Sequence, residues 1–207
     1  MRFRSIVLLA VLVASVSCGT ERKPPPPPDL DRNDLLGAVL DRSALGEGWK
    51  EKENPGPNTV QIGGKVGAAS VRPVLAEATS AFDQEEGTGY VSDTVLLLRS
   101  EVMARAVIAA HQEAVTRNSW NQDRDDGGRA TFNYSGAVAR LPALGDEMFA
   151  ARLKADITDA DGGRSEHIVD YVVFSLGPVV AFVVTQDVGA GTPARRLEPR
   201  VARLLTK

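Results

Sequence analysis

Hydrophobic and polar residues alternate along several stretches in the second half of the chain. Residues 148–157 place Phe149, Leu153 and Ile157 on one side and charged residues on the other, which is typical of a strand with one buried face. Residues 130–135 alternate in the same way. By contrast, 167–176 and Val179–Gln186 are apolar at both parities, so these two strands are predicted to be covered on both faces.

Helical spacing of apolar residues appears in three places. The pattern predicts a first helix over 31–45, a second from the cap Ser100 to about Arg117, and a last one from Thr192 and Pro193 that Pro199 kinks or restarts. Further strands are predicted over 76–83 and 90–99, whereas 50–72 is predicted to be a loop with a short strand at 60–62.

The order of these elements predicts the fold class. Turn signals at 159–163 and at Gly177 and Pro178 join consecutive strands, and no strand–helix–strand alternation recurs. We therefore expect an α+β fold with a mainly antiparallel meander sheet of about five to seven strands and two or three helices packed on it.

The N-terminus predicts export. Arg2 and Arg4 precede an apolar stretch at 6–16 that is too short to span a bilayer, so residues 1–17 are predicted to be a signal peptide. Ser15 and Ser17 also permit cleavage by the ordinary signal peptidase, which would leave Cys18 as a free thiol. The alternative is that Ser15 to Cys18 resembles a bacterial lipobox, although Ser15 stands where that motif prefers an aliphatic residue.

The lipobox resemblance implies that Cys18, the only cysteine of the chain, carries diacylglycerol and becomes the mature N-terminus. Residues 18–29 are then a lipidated linker, and its five consecutive prolines predict a polyproline stalk rather than a ligand for a proline-recognition domain. Residues 30–207 are predicted to form a single domain. The chain is expected at the extracytoplasmic face of the cell membrane, with membrane lipid as one partner.

Composition and motifs narrow the possible functions. The formal charge of −3 comes from 24 basic and 27 acidic residues that are mixed along the chain, which does not favour nucleic-acid binding. His111 and His167 are the two histidines, and neither belongs to a recognised zinc or catalytic motif. The chain contains no G-x-S-x-G sequence. We therefore expect no enzyme activity, no metal and no cofactor.

Two acidic loops and two tryptophans are weaker candidates for a site. The acidic loops hold Asp123, Asp125 and Asp126 in one case and Asp159 and Asp161 in the other, and neither follows the calcium-binding EF-hand spacing. They are interpreted as loops and turns. Trp49 and Trp120 are interpreted as packing residues rather than platforms for a ligand.

Three segments carry a resemblance to a known family. "VSDTVLLLRSEVMARAVIAAHQEAVTRNSW", "LPALGDEM" and "DYVVFSLGPVVAFVV" resemble the extracytoplasmic sensor domain of actinobacterial serine/threonine kinases, to which many lipoproteins are similar. The resemblance implies the same α+β fold and a sensor-like role. It also implies a disulfide cysteine soon after Trp120, where this chain has Asn121 to Asp123.

These observations favour a membrane-anchored domain that binds a ligand or partner. A cell-envelope hydrolase and a structural lipoprotein of an envelope complex remain alternatives. If the second face of the doubly apolar strands is incompletely covered, an apolar cleft beside Val169, Tyr171 and Val173 would accept a hydrophobic envelope molecule or a protein partner. The other possibility is that a helix or the 50–72 loop closes that face.

Overall fold

The structure is a computed structural model that describes residues 28–53, 74–117, 120–123, 127–138 and 141–206, with only the backbone at 117 and 120–123. The predicted signal peptide, Cys18, most of the proline segment and the predicted strand at 60–62 lie outside these residues. In the described part of the chain, no helix is long and apolar enough to cross a membrane.

An antiparallel sheet organises the described residues and confirms the predicted α+β meander fold. Its eight strands lie in the order β1-β2-β3-β8-β7-β6-β5-β4. The strands are β1 (Trp49–Glu51), β2 (Ala76–Gln84), β3 (Tyr90–Leu97), β4 (Trp120–Asp123), β5 (Arg129–Gly136), β6 (Glu147–Thr158), β7 (Arg164–Leu176) and β8 (Val179–Gln186). The helices are α1 (Arg32–Leu36), α2 (Arg42–Leu45), α3 (Glu101–Arg117) and α4 (Gly191–Leu204).

The predicted first helix is instead two short helices. Asp31 caps α1 by accepting hydrogen bonds from the N–H groups of Asn33 and Asp34, and the helix ends at Gly37. Asp41 then caps α2 through the N–H of Ala44. Two caps this close together start two helices, because a capping side chain requires extended backbone at its own position.

The structure also differs from the sequence-based expectations at Trp120 and at Pro199. Trp120 begins β4, which pairs with β5, where the sequence predicted only a loop. Pro199 lies inside α4, which continues through it from Gly191 to Leu204 without restarting.

The sheet has an apolar cluster on each face. Even-numbered residues of β7, Val172 and Phe174, pack with α1, α2 and α4, whereas odd-numbered Tyr171 and Val173 pack with α3. The same division continues into β8, where Ala181 and its neighbours alternate between the two clusters. The prediction that these strands are covered on both faces is confirmed, and the fold is a sheet between two helical layers.

Asp93 is a carboxyl group buried in the face that α1 and α2 cover. Its side chain is 1% exposed, and it accepts hydrogen bonds from the Ser80 hydroxyl and from the N–H of Leu40, 3.3 Å from each carboxyl oxygen. Burial raises the pKa of Asp93 to about 7, although these hydrogen bonds oppose the shift. Because Leu40 lies between α1 and α2, Asp93 anchors their connection to the sheet.

His111 is a buried polar group on the opposite face. Its Nδ1 lies 2.6 Å from the hydroxyl of Tyr171, and burial lowers the pKa of His111 to about 4. The imidazole is therefore neutral at pH 7, and the Tyr171 hydroxyl donates to Nδ1. The two buried groups affect acid stability in opposite directions: the contribution of Asp93 is lost as pH rises from about 4 to 7, and that of His111 is lost as pH falls from 6.5 to about 4.

Asp93→Asn should unmask the contribution of His111. We expect the free energy of unfolding of the variant, minus that of the wild type, to increase between pH 4 and 7 by up to about 1.4 kcal/mol per pH unit. Urea unfolding at several pH values measures this difference. The control is Thr94→Val, which changes the next residue of the same strand and neither adds nor removes a titrating group. Its free energy of unfolding, minus that of the wild type, should not change with pH. A constant difference for Asp93→Asn as well would contradict the assignment.

Candidate functional site

The residues predicted to line an apolar cleft are buried beneath α3. Val169 is 6% exposed, Tyr171 1% and Val173 0%. The ring of Tyr171 stacks on His111 and lies 6.3 Å from that of Phe182, and its hydroxyl is satisfied by His111. Of the two possibilities left open by the sequence, the structure has the closed one: α3 covers this face, and there is no open cleft beside Tyr171 among the described residues.

A polar site lies farther along the same strand, where β7 extends beyond its neighbour. The β7–β8 ladder stops at the pair Val169 and Gln186, while β7 continues back to Arg164 in its pairing with β6. Residues 164–168 thus have strand β6 on one side and no paired residue of β8 on the other. Ser165 and His167 lie two positions apart in this segment, so their side chains point to the same face of the sheet.

Asp187 follows β8 directly and turns back onto the extended part of β7. Its backbone has φ 56, a left-handed conformation that Asp and Asn adopt more readily than other non-glycine residues. Its N–H donates to the carbonyl of Ile168 at 2.8 Å, and its Oδ1 accepts from the N–H of Ile168 at 3.1 Å. These two bonds fix the carboxylate beside His167.

The other carboxylate oxygen of Asp187 has two side-chain partners. Oδ2 accepts from the hydroxyl of Thr88 at 2.8 Å and lies 2.6 Å from Nδ1 of His167. Partial burial alone would raise the pKa of Asp187, but hydrogen bonds from His167, Thr88 and Ile168 outweigh it, and the pKa is lowered. Asp187 is therefore an ionised acceptor at neutral pH.

Ser165, His167 and Asp187 form a hydrogen-bonded chain. The Ser165 hydroxyl lies 2.9 Å from Nε2 of His167, whose Nδ1 faces Asp187. Because a carboxylate only accepts hydrogen bonds, Nδ1 carries the proton of the neutral imidazole, and Nε2 accepts the proton of Ser165. The side chains of His167 and Asp187 are 14% and 24% exposed, so the pair is sheltered, while Ser165 is exposed.

A groove of about 410 Å³ lies beside the hydrogen-bonded side chains of Ser165 and His167. Its polar lining includes Ser165, His167 and Gln186, and its apolar lining comes from Phe132 and Ile157. The Gln186 carboxamide nitrogen donates to the carbonyl of Thr88 at 3.4 Å. It also lies 3.2 Å from Nδ1 of His167, but it cannot donate to that nitrogen while Nδ1 carries its proton toward Asp187. Hydrogen-bonding groups and an apolar wall in one concave site suit a small molecule that has a polar and an apolar part.

A second groove, of about 380 Å³, lies beside α4 and is lined by four arginines. Arg196 donates to the carbonyl of Ala44, and Arg200 donates to the carbonyl of Val39 and pairs with Asp41 at 2.8 Å. Hydrogen bonds from Ser43 and Arg200 lower the pKa of Asp41 to about 2. Two of these arginines therefore fasten α4 to the α1–α2 segment.

The other residues considered from sequence do not converge on a site. The described residues contain no group of three side chains that would hold a metal ion, and Asp161 accepts from the N–H of Gly163 within its turn. Asp125 and Asp126 lie outside the described residues, as do the side chains of Asp123 and Trp120. Trp49 packs against the cluster beneath α1 and α2, as interpreted.

Comparison with known proteins extends the description of the fold. No protein-family profile matches the chain, and no curated protein matches its sequence. Among solved structures, the chain is similar to the extracellular domain of PknH from Mycobacterium tuberculosis, with a TM-score of 0.55 and 11% identity over 86% of this chain and 98% of that chain. The fold expected from the resemblance is therefore found in this chain.

His167 belongs to no recognised zinc or catalytic motif, so no motif marked it as a site residue. The local signal was the pattern Ser-x-His at 165–167, since residues two apart in a strand share a face. The third member, Asp187, lies 20 residues away in sequence. It contacts His167 because β8 ends at Gln186, while β7 extends past the last β7–β8 pair. That register is not visible in the sequence.

Proposed function

We propose that the chain is a lipid-anchored extracytoplasmic protein whose domain binds a small, mainly polar envelope ligand. The observation that carries the proposal is the groove at the end of β7, with the hydrogen-bonded chain of Ser165, His167 and Asp187 on its wall. The fold shared with an extracellular domain supports the extracytoplasmic location.

The sequence supports the anchor. Cys18 follows a positively charged and apolar leader, and diacylation would hold the mature N-terminus in the membrane, since each buried methylene contributes about 0.8 kcal/mol. Five consecutive prolines in a polyproline helix would rise about 3.1 Å each and would separate the domain from the lipid surface by roughly 15 Å. The ligand groove would therefore face the aqueous envelope rather than the bilayer.

The polar groove is a different site from the apolar cleft that the sequence left as one of two possibilities. The hydroxyl of Tyr171 is hydrogen-bonded to His111, and its ring is covered by α3. Ser165 and Gln186, by contrast, line the groove with hydrogen-bonding groups. A ligand that fills the groove would leave these groups unpaired if it lacked matching donors and acceptors, and a buried unpaired polar group costs about 1–3 kcal/mol. Ligand polarity is therefore the expected basis of selectivity.

The anchor predicts a change in fractionation. In cells that make the wild-type chain, the protein should partition into detergent and its mature N-terminus should carry acyl groups on Cys18. Cys18→Ala should be released from the membrane or remain unprocessed, because it has no thiol to acylate. Mass spectrometry of the mature N-terminus decides the question, and an unmodified Cys18 on the wild-type protein would contradict the anchor.

The groove predicts which histidine responds to a ligand. The full-length chain, purified in detergent and isotope-labelled at histidine, gives signals for His111 and His167, the two histidines present. A dialysed water-soluble extract of delipidated envelope should shift the ring signals of His167 and leave those of buried His111 in place.

Matched variants sharpen this test. Ile157→Ala removes part of the apolar wall and should weaken the response of His167, whereas Ile168→Ala, on the opposite face of the same region, should not. Dispersed envelope lipid serves as the second probe. If lipid shifts His111, or if neither extract shifts His167, the polar groove is not the binding site.

A further inference from the structure

We propose that Ser165 is an acyl acceptor, and that the groove transfers an acyl group from a small ester to its hydroxyl. The inference rests on the proposed function only in placing the ligand in the same groove. It adds a chemical step, and it gives the hydrolase alternative a defined set of residues.

The three side chains stand in the order nucleophile, base and carboxylate. A serine hydroxyl is a weak nucleophile unless a base removes its proton as it attacks. Nε2 of His167 is 2.9 Å from that hydroxyl, within the range for proton transfer. Nδ1 is held by Asp187 at 2.6 Å, which fixes the tautomer and stabilises the imidazolium that forms. The arrangement therefore supplies a nucleophile, a base and an orienting carboxylate.

Asp187 is held in place independently of His167. The N–H and carbonyl of Ile168 and the hydroxyl of Thr88 all bond to it. The Ile168 N–H and the Thr88 hydroxyl hold the carboxylate, and the bond from the Asp187 N–H to the Ile168 carbonyl fixes the backbone that carries it. The carboxylate therefore keeps its geometry when the imidazole becomes charged. This preorganisation is what the step requires, because little rearrangement then accompanies proton transfer.

A backbone N–H is available for the negative charge that would form on the carbonyl oxygen of the ester. Ile168 directs both its N–H and its carbonyl toward Asp187, away from β6. Backbone groups alternate sides along a strand, so the N–H of Glu166 points to the same edge. No described residue of β8 pairs with Glu166 there, because the ladder ends at Val169. The N–H that follows Ser165 in sequence is therefore positioned to donate to the developing oxyanion.

The step balances without another reactant. Ser165 Oγ forms a bond to the acyl carbon while its proton moves to Nε2 of His167. The bond from that carbon to the alcohol oxygen then breaks, and the leaving oxygen takes the proton from Nε2. The products are an acyl-serine and a free alcohol. Ile157 and Phe132 offer an apolar surface for the acyl chain, and the groove size limits the substrate to a small ester.

The test uses p-nitrophenyl acetate and the full-length chain in detergent. Release of nitrophenolate should accompany transfer of one acetyl group per chain, located on Ser165 by peptide mass mapping. Ser165→Ala should abolish the adduct on that peptide. Asp187→Asn keeps the left-handed backbone and the bond to Ile168 but loses the charge beside His167, and it should slow acetylation by at least about 100-fold, as should His167→Gln.

Controls separate this reaction from background acetylation. Ser135→Ala removes an exposed serine of β5 that bonds only the carbonyl of Arg152 among the contacts described for it, and it should leave the rate unchanged. Acetyl groups on lysines with an unmodified Ser165 peptide would overturn the proposal. So would acetylation of Ser165 at an undiminished rate in both Asp187→Asn and His167→Gln.

The same variants distinguish this inference from the proposed function. If Ser165 is never acetylated but the polar extract still shifts His167 in Ser165→Ala, the acyl-transfer inference fails and the binding function stands. If the extract shifts His167 in neither protein while Ser165 is acetylated, the binding function fails and the reactivity stands.

Discussion

Burial of β7 and β8 on both faces is the constraint on which the rest of the structure depends. These strands lie at the centre of the sheet and carry apolar side chains at both parities. Removing both sets from water requires two covering layers, and burying each large apolar side chain contributes about 1.5–3 kcal/mol. The helices supply those layers, α3 on one face and α1, α2 and α4 on the other. Two of the polar side chains buried in this core, Asp93 and His111, are each paired with a hydrogen-bonding partner.

The candidate site lies where this two-sided burial ends. Beyond Val169, β7 has lost its pairing with β8, and its residues become Ser165, Glu166 and His167 instead of valines. Asp187 closes the end of β8 and bonds the backbone of Ile168, so it completes the ladder by one further step. The same bonds that terminate the sheet therefore orient His167 toward Ser165. The Asp187 carboxylate therefore both caps the edge of the sheet at Ile168 and orients the imidazole of His167.

Periodicity predicted most of the fold because side-chain burial follows it directly. The alternation in β6 and the doubly apolar pattern of β7 and β8 indicated strands with one or two covered faces, and the structure has both. The prediction of one long first helix was wrong: Leu36 and Leu40 have the i, i+4 spacing of a helix, but the first helix ends at Gly37 and a second cap at Asp41 starts another. Strand β4 was missed because its four residues have few apolar positions and pair only at the sheet edge.

The site was less predictable than the fold, since it depends on register. Sequence indicated that Tyr171 lies in an apolar environment, which is confirmed, but it could not determine whether α3 reaches across it. His167 and Ser165 share a face by simple alternation, whereas Asp187 joins them through the length difference between β7 and β8. Hydrogen-bond partners of this kind follow from where each strand stops, and the local pattern of residues does not specify that.

The protonation state of the two imidazole rings tests the central claim most directly. Nitrogen-15 chemical shifts of the histidine rings in the full-length protein at neutral pH distinguish the two neutral tautomers. The account predicts opposite tautomers: His167 protonated at Nδ1, which faces Asp187, and His111 protonated at Nε2, because its Nδ1 accepts from Tyr171. A neutral His167 with its proton on Nε2 would contradict the account, since that nitrogen could then not accept the proton of Ser165.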